Sequence, residues 1–272
     1  MTASSNFDGP FRVVYALCMK GRARGDHRAR PWGASRPNFR HSVRGAELVT
    51  IWQASRITDT WRAVVSINVS GTEGYAENAQ SLVEQWRDIS FEEHHKPVMH
   101  LVPTHPACIL DVGAGIGTDA AAFAAMGHTV VAVEPVDALR VAGIRQHPSP
   151  RIEWLDDSLP NLAILRSRRK KFDLAMLSAV WMHLDGDERR RAMPNVSALL
   201  CDGAMLLMSL RHGPVPKGRR MFDVSAEEII QLANAYGLRT VLNVRTESSQ
   251  HGNRRMGVTW TRLAFSNDGA RG

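Results

Sequence analysis

The rhythm of apolar and polar positions changes at about residue 71. Across residues 76–89 the apolar Ala79, Leu82, Val83 and Trp86 fall at helical spacing, which predicts an amphipathic helix. A second helix is predicted over 91–102, ended by Pro103. Strand and helix patterns then alternate with short connections. Apolar or β-branched runs of strand length occupy 107–112, 129–133, 151–155, 172–177, 204–210, 238–244 and 256–265. Helical patterns fall at 118–126, closed by Gly127, and at 136–146, stopped by Pro148. Two more fall at 187–200 and 225–236, the latter with Ser225 as N-cap and Glu228 at the capping-box position. Residues 245–255 show no helical pattern, so a hairpin there would turn the last strand antiparallel. Such alternation predicts an α/β fold: a Rossmann-like, doubly wound sheet of seven strands, the last antiparallel, with helices on both faces.

The first 70 residues have no sustained pattern. Residues 21–44 mix Arg, Gly, Pro, Ser and His with almost no aliphatic side chain, too little to offset the entropy of ordering. Residues 48–69 could supply one short helix or strand. The expected division is a basic, largely irregular extension over 1–70 and one domain over 71–272. Within that domain, 71–103 would form lid helices and 104–265 the core. Phe11–Met19 is short and makes a poor signal peptide; a transit peptide, or a start placed too far upstream, stays open.

Charge follows the same division. The net charge is +7. Residues 1–70 hold 11 Lys and Arg against 4 Asp and Glu, so the whole excess lies there and the rest is balanced. A high pI therefore says little about what the domain binds. No apolar stretch approaches the roughly 18–20 residues of a membrane span. The three cysteines, Cys18, Cys108 and Cys201, form no C-x-x-C pair. A metal site or disulfide framework is not expected, and a reducing, cytoplasmic setting fits best.

The chemistry concentrates in Asp111-Val112-Gly113-Ala114-Gly115-Ile116-Gly117, between a predicted strand and a predicted helix. Glycines let the backbone turn tightly and approach a ligand. The helix that follows offers free N–H groups to an anion, at the strand ends where open sheets bind ligands. A dinucleotide loop reads G-x-G-x-x-G, and its third glycine would fall on Thr118. Glu134, with Pro135 behind it, ends the second strand 21 residues after Gly113; an acidic residue there can accept from both ribose hydroxyls of an adenosine.

The loop resembles motif I of the class I S-adenosylmethionine-dependent methyltransferases, and the residues after it extend the resemblance over roughly 72–265. Asp157-Ser158 follows the third strand, where that family places an acidic or polar residue on the adenine amino group. Phe172-Asp173-Leu174 resembles its F-D-hydrophobic strand, and the stretch from Leu177 through Ser178 and Ala179 to Leu184 resembles its post-strand segment. Leu199 to Ala204 resembles its L-x-P-G-G turn only in part. The resemblance implies S-adenosyl-L-methionine as cofactor, held by Asp111, Gly113, Ala114, Gly115, Gly117, Glu134, Pro135, Asp157, Ser158, Ser178 and Ala179.

On the acceptor side, His183 and His212 are candidate general bases, each with a structural role as its plainer alternative. Tyr75, Trp181 and Arg211 are candidate acceptor contacts. Arg211 would meet an acidic acceptor, Tyr75 and Trp86 would cover the cofactor, and Trp181 would be either packing or a lid. The segment 177–180 lacks the Asp/Asn-Pro-Pro-aromatic turn of enzymes that methylate exocyclic amines of DNA bases, and neither Cys108 nor Cys201 follows proline, as a cytosine-C5 nucleophile would. A small-molecule acceptor is favoured, with RNA or protein left open by the basic extension and the oligomeric state undetermined. The competing readings are an NAD-dependent Rossmann oxidoreductase and a non-catalytic RNA-binding module.

Overall fold

The structure is a computed structural model that describes residues 69–268. The extension over 1–68, with Cys18 and most of the segment 48–69, lies outside the described residues. Seven strands form one sheet: β1 Cys108–Val112, β2 Thr129–Val133, β3 Ile152–Leu155, β4 Phe172–Ser178, β5 Leu200–His212, β6 Leu238–Glu247 and β7 Thr259–Asn267. Their order is β3-β2-β1-β4-β5-β7-β6. The first five are parallel, and β7 runs antiparallel between β5 and β6. This is the expected doubly wound sheet with an antiparallel last strand.

Both faces of the sheet are covered, which is why its central strands read as unbroken apolar runs. Side chains alternate between two cores. Leu110, Val112, Val131, Val133, Ala175 and Leu177 enter one. Ile109, Val130, Ala132, Leu174 and Met176 enter the other. The helix α3, Thr118–Ala125, covers the second core with Ala120, Phe123 and Ala124. Two helices cover the first: α6, Gly186–Ser197, and α7, Ala226–Asn234. Between α3 and α6 in the chain lie α4, Asp137–Gln146, and α5, Ala163–Ser167. Before β1 come α1, Ala79–Trp86, and α2, Phe91–His95.

Several boundaries depart from expectation. The helix expected over 91–102 ends at His95, because Pro97 has no N–H to give to a carbonyl one turn back; a 3₁₀ turn, Met99–Leu101, replaces its end. The helix expected to reach residue 200 stops at Ser197, because the Phe172 N–H bonds the Leu199 carbonyl and Leu200 joins the sheet. Its start is fixed by a capping box between Asp185 and Glu188. Ser225 does cap α7, but Glu228 turns to Arg189 at 2.7 Å. Residues 245–255, expected to lack a helix, contain α8, His251–Arg255. Among the described residues no helix is long and apolar enough to cross a membrane, and no cluster of His, Cys, Asp and Glu could hold a metal ion.

Candidate functional site

A cavity of about 610 Å³ opens at the carboxyl ends of β1, β2, β4 and β5. That is within the 300–1,000 Å³ usual for small-molecule sites. The glycine loop forms its floor. Gly113, Gly115 and Gly117 all have positive φ, at 71°, 58° and 81°. A Cβ on Gly113 would lie 2.5 Å from the Val180 side chain, so only glycine lets the loop pass beneath the end of β4. Gly115 and Ala114 face the cavity.

Glu134 ties this loop to the next. Its carboxylate accepts the Gly115 N–H and the Val136 N–H, each at 2.8 Å. Burial pushes its pKa up to about 7 against these two hydrogen bonds. Asp111, at the end of β1, is buried, and its Oδ2 has no hydrogen-bond partner among the described residues. Burial, with the charges of Asp119 and Glu134 beside it, holds its carboxyl well above the usual range. Pro135, Asp157, Ser158, Ser178 and Ala179 also line the cavity. Asp157 already accepts the N–H groups of Ser158 and Leu165, at 2.9 and 2.8 Å, and so caps α5. Ala179 takes a φ of 59°, uncommon for a residue with a Cβ, and its N–H donates to Ser209 Oγ at 2.8 Å.

Tyr75 and His183 form the opposite wall, joined by a hydrogen bond of 3.0 Å. Burial lowers the pKa of His183 and raises that of Tyr75. Arg219 stacks on the Tyr75 ring, 3.6 Å from its centre. Arg220 turns the other way, donating to the His183 carbonyl and to the carboxylates of Asp185 and Glu188. It thereby fastens the β5–α7 loop against the start of α6.

Three expected site residues do not reach the cavity. Trp181 is fully buried in the core between the sheet and α6, so it is packing and not a lid. His212 follows Arg211 on β5 and faces the other side of the strand, where its Nε2 meets Thr261 Oγ1 at 2.8 Å. Gly117 turns its Cα toward Trp154, not toward the cavity. Arg211 and Trp86 do line it. Among the cavity residues missed by sequence reasoning are Arg219, Lys217, Asp119, His94, Asn253 and Trp260. Only the basic character of 217–220 offered a signal for any of them.

Residues 109–203 match the family model of a methyltransferase domain. No curated protein sequence matches significantly. Among solved structures the chain is similar to the 1,6-didemethyltoxoflavin-N1-methyltransferase of Burkholderia thailandensis, solved with S-adenosylhomocysteine. The identity is 21%, over 71% of this chain and 84% of that one, with a TM-score of 0.57. It is also similar to a TehB-like methyltransferase of Corynebacterium glutamicum, at 19% identity over 70% and 97% with a TM-score of 0.54. The N-methyltransferase NodS of Bradyrhizobium japonicum follows at 19%, over 71% and 100%, with a TM-score of 0.53. Residues 109–203 thus match a methyltransferase domain, and the sheet over 108–267 has the Rossmann-like fold of solved S-adenosylmethionine-dependent methyltransferases.

Proposed function

We propose that this chain binds S-adenosyl-L-methionine in the cavity and transfers its methyl group to a small molecule. The observation that carries this is the bond between Glu134 and the Gly115 N–H, because it sets a buried carboxylate beside a glycine floor at the strand ends. The orphaned Oδ2 of Asp111 adds an acceptor for a cationic group. Two of the neighbours, the 1,6-didemethyltoxoflavin-N1-methyltransferase and NodS, are named as N-methyltransferases, the first solved with 1,6-didemethyltoxoflavin bound, which favours a small acceptor.

In this reading Gly113, Ala114 and Gly115 let the cofactor lie against the backbone. Glu134, with Pro135 shaping its turn, accepts from the ribose hydroxyls. Asp157 and Ser158 face the adenine edge, and Ser178 and Ala179 close the side at the end of β4. S-adenosylmethionine, when bound, supplies an electrophilic sulfonium methyl group. The protein then has mainly to position the acceptor, a contribution worth about 7–11 kcal/mol. Where the acceptor must lose a proton, the Tyr75 oxygen receives it while the phenolic hydrogen passes to His183 Nε2. His183, already a candidate base, acts here through Tyr75. Residues 71–103 serve as the lid and 1–70 as a separate basic extension, in a cytoplasmic protein.

Calorimetry on the full chain tests the reading. Micromolar binding of S-adenosylmethionine or S-adenosylhomocysteine is expected. Silence with both, together with binding of NAD, overturns it in favour of an oxidoreductase.

A further inference from the structure

Three cations border the cavity on the β5 side: Arg211, Lys217 and Arg219. The guanidinium next in the chain, Arg220, shows how this fold neutralises such groups. It meets Asp185 at 2.9 Å and Glu188 at 2.8 Å. Arg211 and Arg219 are held differently. Arg211 donates to the carbonyl of Pro214 at 2.8 Å and, at the limit of bonding, to that of Gly213 at 3.5 Å. Arg219 donates to the Glu73 carbonyl at 3.3 Å and lies on the Tyr75 ring. Among the described residues, neither guanidinium has a carboxylate within ion-pair distance.

Carbonyl oxygens satisfy N–H groups but carry no compensating charge. Of the carboxylates that share the cavity, Asp119 is engaged with His95 at 2.9 Å, Glu134 with two backbone N–H groups and Asp157 with the cap of α5, while Asp111 is buried at the end of β1, its carboxyl held well above the usual range and in no ion pair with either guanidinium. Arg211 is half-buried, and that burial makes its charged form costlier than in water. A partly desolvated cation facing a cavity gains most from an anion that arrives with the ligand, and the planar guanidinium fork suits a carboxylate or phosphate.

We propose that Arg211 and Arg219 clamp an oxyanion, a carboxylate or a phosphate, on the methyl acceptor, so that this enzyme methylates an anionic small molecule. The inference rests on the methyl-transfer reading of the cavity. Arg219 covers one face of Tyr75, so the clamp and the Tyr75–His183 pair belong to one wall, and a short acceptor gripped by its oxyanion lies beside the phenol. Lys217, exposed on the same loop, adds attraction at longer range.

The test uses the full chain saturated with S-adenosylhomocysteine, titrated with 4-hydroxybenzoate, phenyl phosphate and the neutral 4-hydroxybenzamide by calorimetry and thermal shift. Expected is stabilisation by the carboxylate or the phosphate probe and none by the amide. Arg211→Gln and Arg219→Gln should each weaken that binding about tenfold or more and leave S-adenosylhomocysteine affinity unchanged. The two anionic probes separate the carboxylate source from the phosphate source. Equal response to the amide, or no response to either anion, overturns the proposal. So does a loss of S-adenosylhomocysteine affinity in the variants with no change for 5′-methylthioadenosine, which lacks a carboxylate; the clamp would then hold the cofactor. Failure of the wild-type chain to bind S-adenosylhomocysteine, read before any anion is added, sinks the methyl-transfer reading itself.

Discussion

The phenol oxygen of Tyr75 lies 3.0 Å from Nε2 of His183, across 108 residues of sequence. The other ring nitrogen, Nδ1, is 2.8 Å from the carbonyl oxygen of Arg220. A carbonyl has no hydrogen to give, so the ring hydrogen sits on Nδ1 and Nε2 accepts from the phenol. Tyr75→Phe removes the oxygen that would receive the acceptor's proton, and His183→Gln removes the nitrogen behind it. Turnover should fall by about 10²- to 10⁴-fold in each, with S-adenosylhomocysteine affinity unchanged in calorimetry. Burial lowers the pKa of His183 from its usual 6.5, so the neutral ring persists below that pH. With the cofactor kept saturating, the wild-type rate should therefore fall on the acid side only below pH 6.5. A rate that climbs only above that pH would contradict the assignment.

Glu134 predicts a pH dependence of cofactor binding. Its pKa of about 7 lies above the ordinary 4.5, so the folded protein favours the protonated form. As pH rises from 4.5 through 7, this group therefore withdraws stability from the fold. Ribose hydroxyls donate to the ionised form, so binding should move the opposite way. Between pH 6 and pH 8 the ionised fraction rises from roughly a tenth to roughly nine tenths, and affinity should tighten about tenfold. Calorimetry of S-adenosylhomocysteine across that range checks this. Glu134→Gln should bind more weakly and show a flat profile; a flat profile in the wild type would argue against the carboxylate role.

The strand pattern was legible because β1, β2 and β4 are buried on both faces, and continuous apolar runs bounded by turns have few other readings. The unforeseen helices, α5 and α8, span five residues each, too few to display a helical period. One of them is held by Asp157, which accepts the Leu165 N–H, a bond that the spacing of polar residues does not display. The glycine loop was legible because its backbone demands glycine. Spacing alone could not tell Gly115, which faces the cavity, from Gly117, which faces Trp154. Trp181 was ambiguous for a related reason, since an aromatic after β4 can point into the core or over it. Arg219, His94 and Trp260 reach the cavity from distant segments, and nothing in their local sequence marks the meeting.

His94 predicts loss of stability in mild acid. Burial, with Arg262 and His95 nearby, lowers its pKa to about 4, against 6.5 for a free side chain. Below pH 6.5 the unfolded chain takes up a proton that the folded one refuses, so stability drains away as pH falls toward 4. Between pH 7 and pH 5 this residue should account for about 1–2 kcal/mol, allowing for its partly exposed edge. Urea unfolding of the wild type and of His94→Gln at both values measures the difference. An equal acid loss in both proteins would remove His94 from the account.

Gly117 and Trp154 predict a stability effect that leaves the cofactor site intact. A Cβ on Gly117 would lie 2.6 Å from the indole ring, and one on Gly143 would lie 2.3 Å from it on another side. The indole is thus wedged between two glycines, one at the start of α3 and one within α4. Gly117 also takes a φ of 81°, where a Cβ is strained whatever the space. Gly117→Ala should therefore cost about 2–4 kcal/mol in urea unfolding, from strain and overpacking together. Trimming the indole by Trp154→Leu should relieve the clash but not the backbone strain. In the double variant the two costs should fall short of their sum by about 0.5–3 kcal/mol. Because Gly117 turns away from the cavity, S-adenosylhomocysteine affinity in refolded Gly117→Ala should match the wild type. Lost affinity with undiminished stability would mean that Gly117 meets the ligand after all.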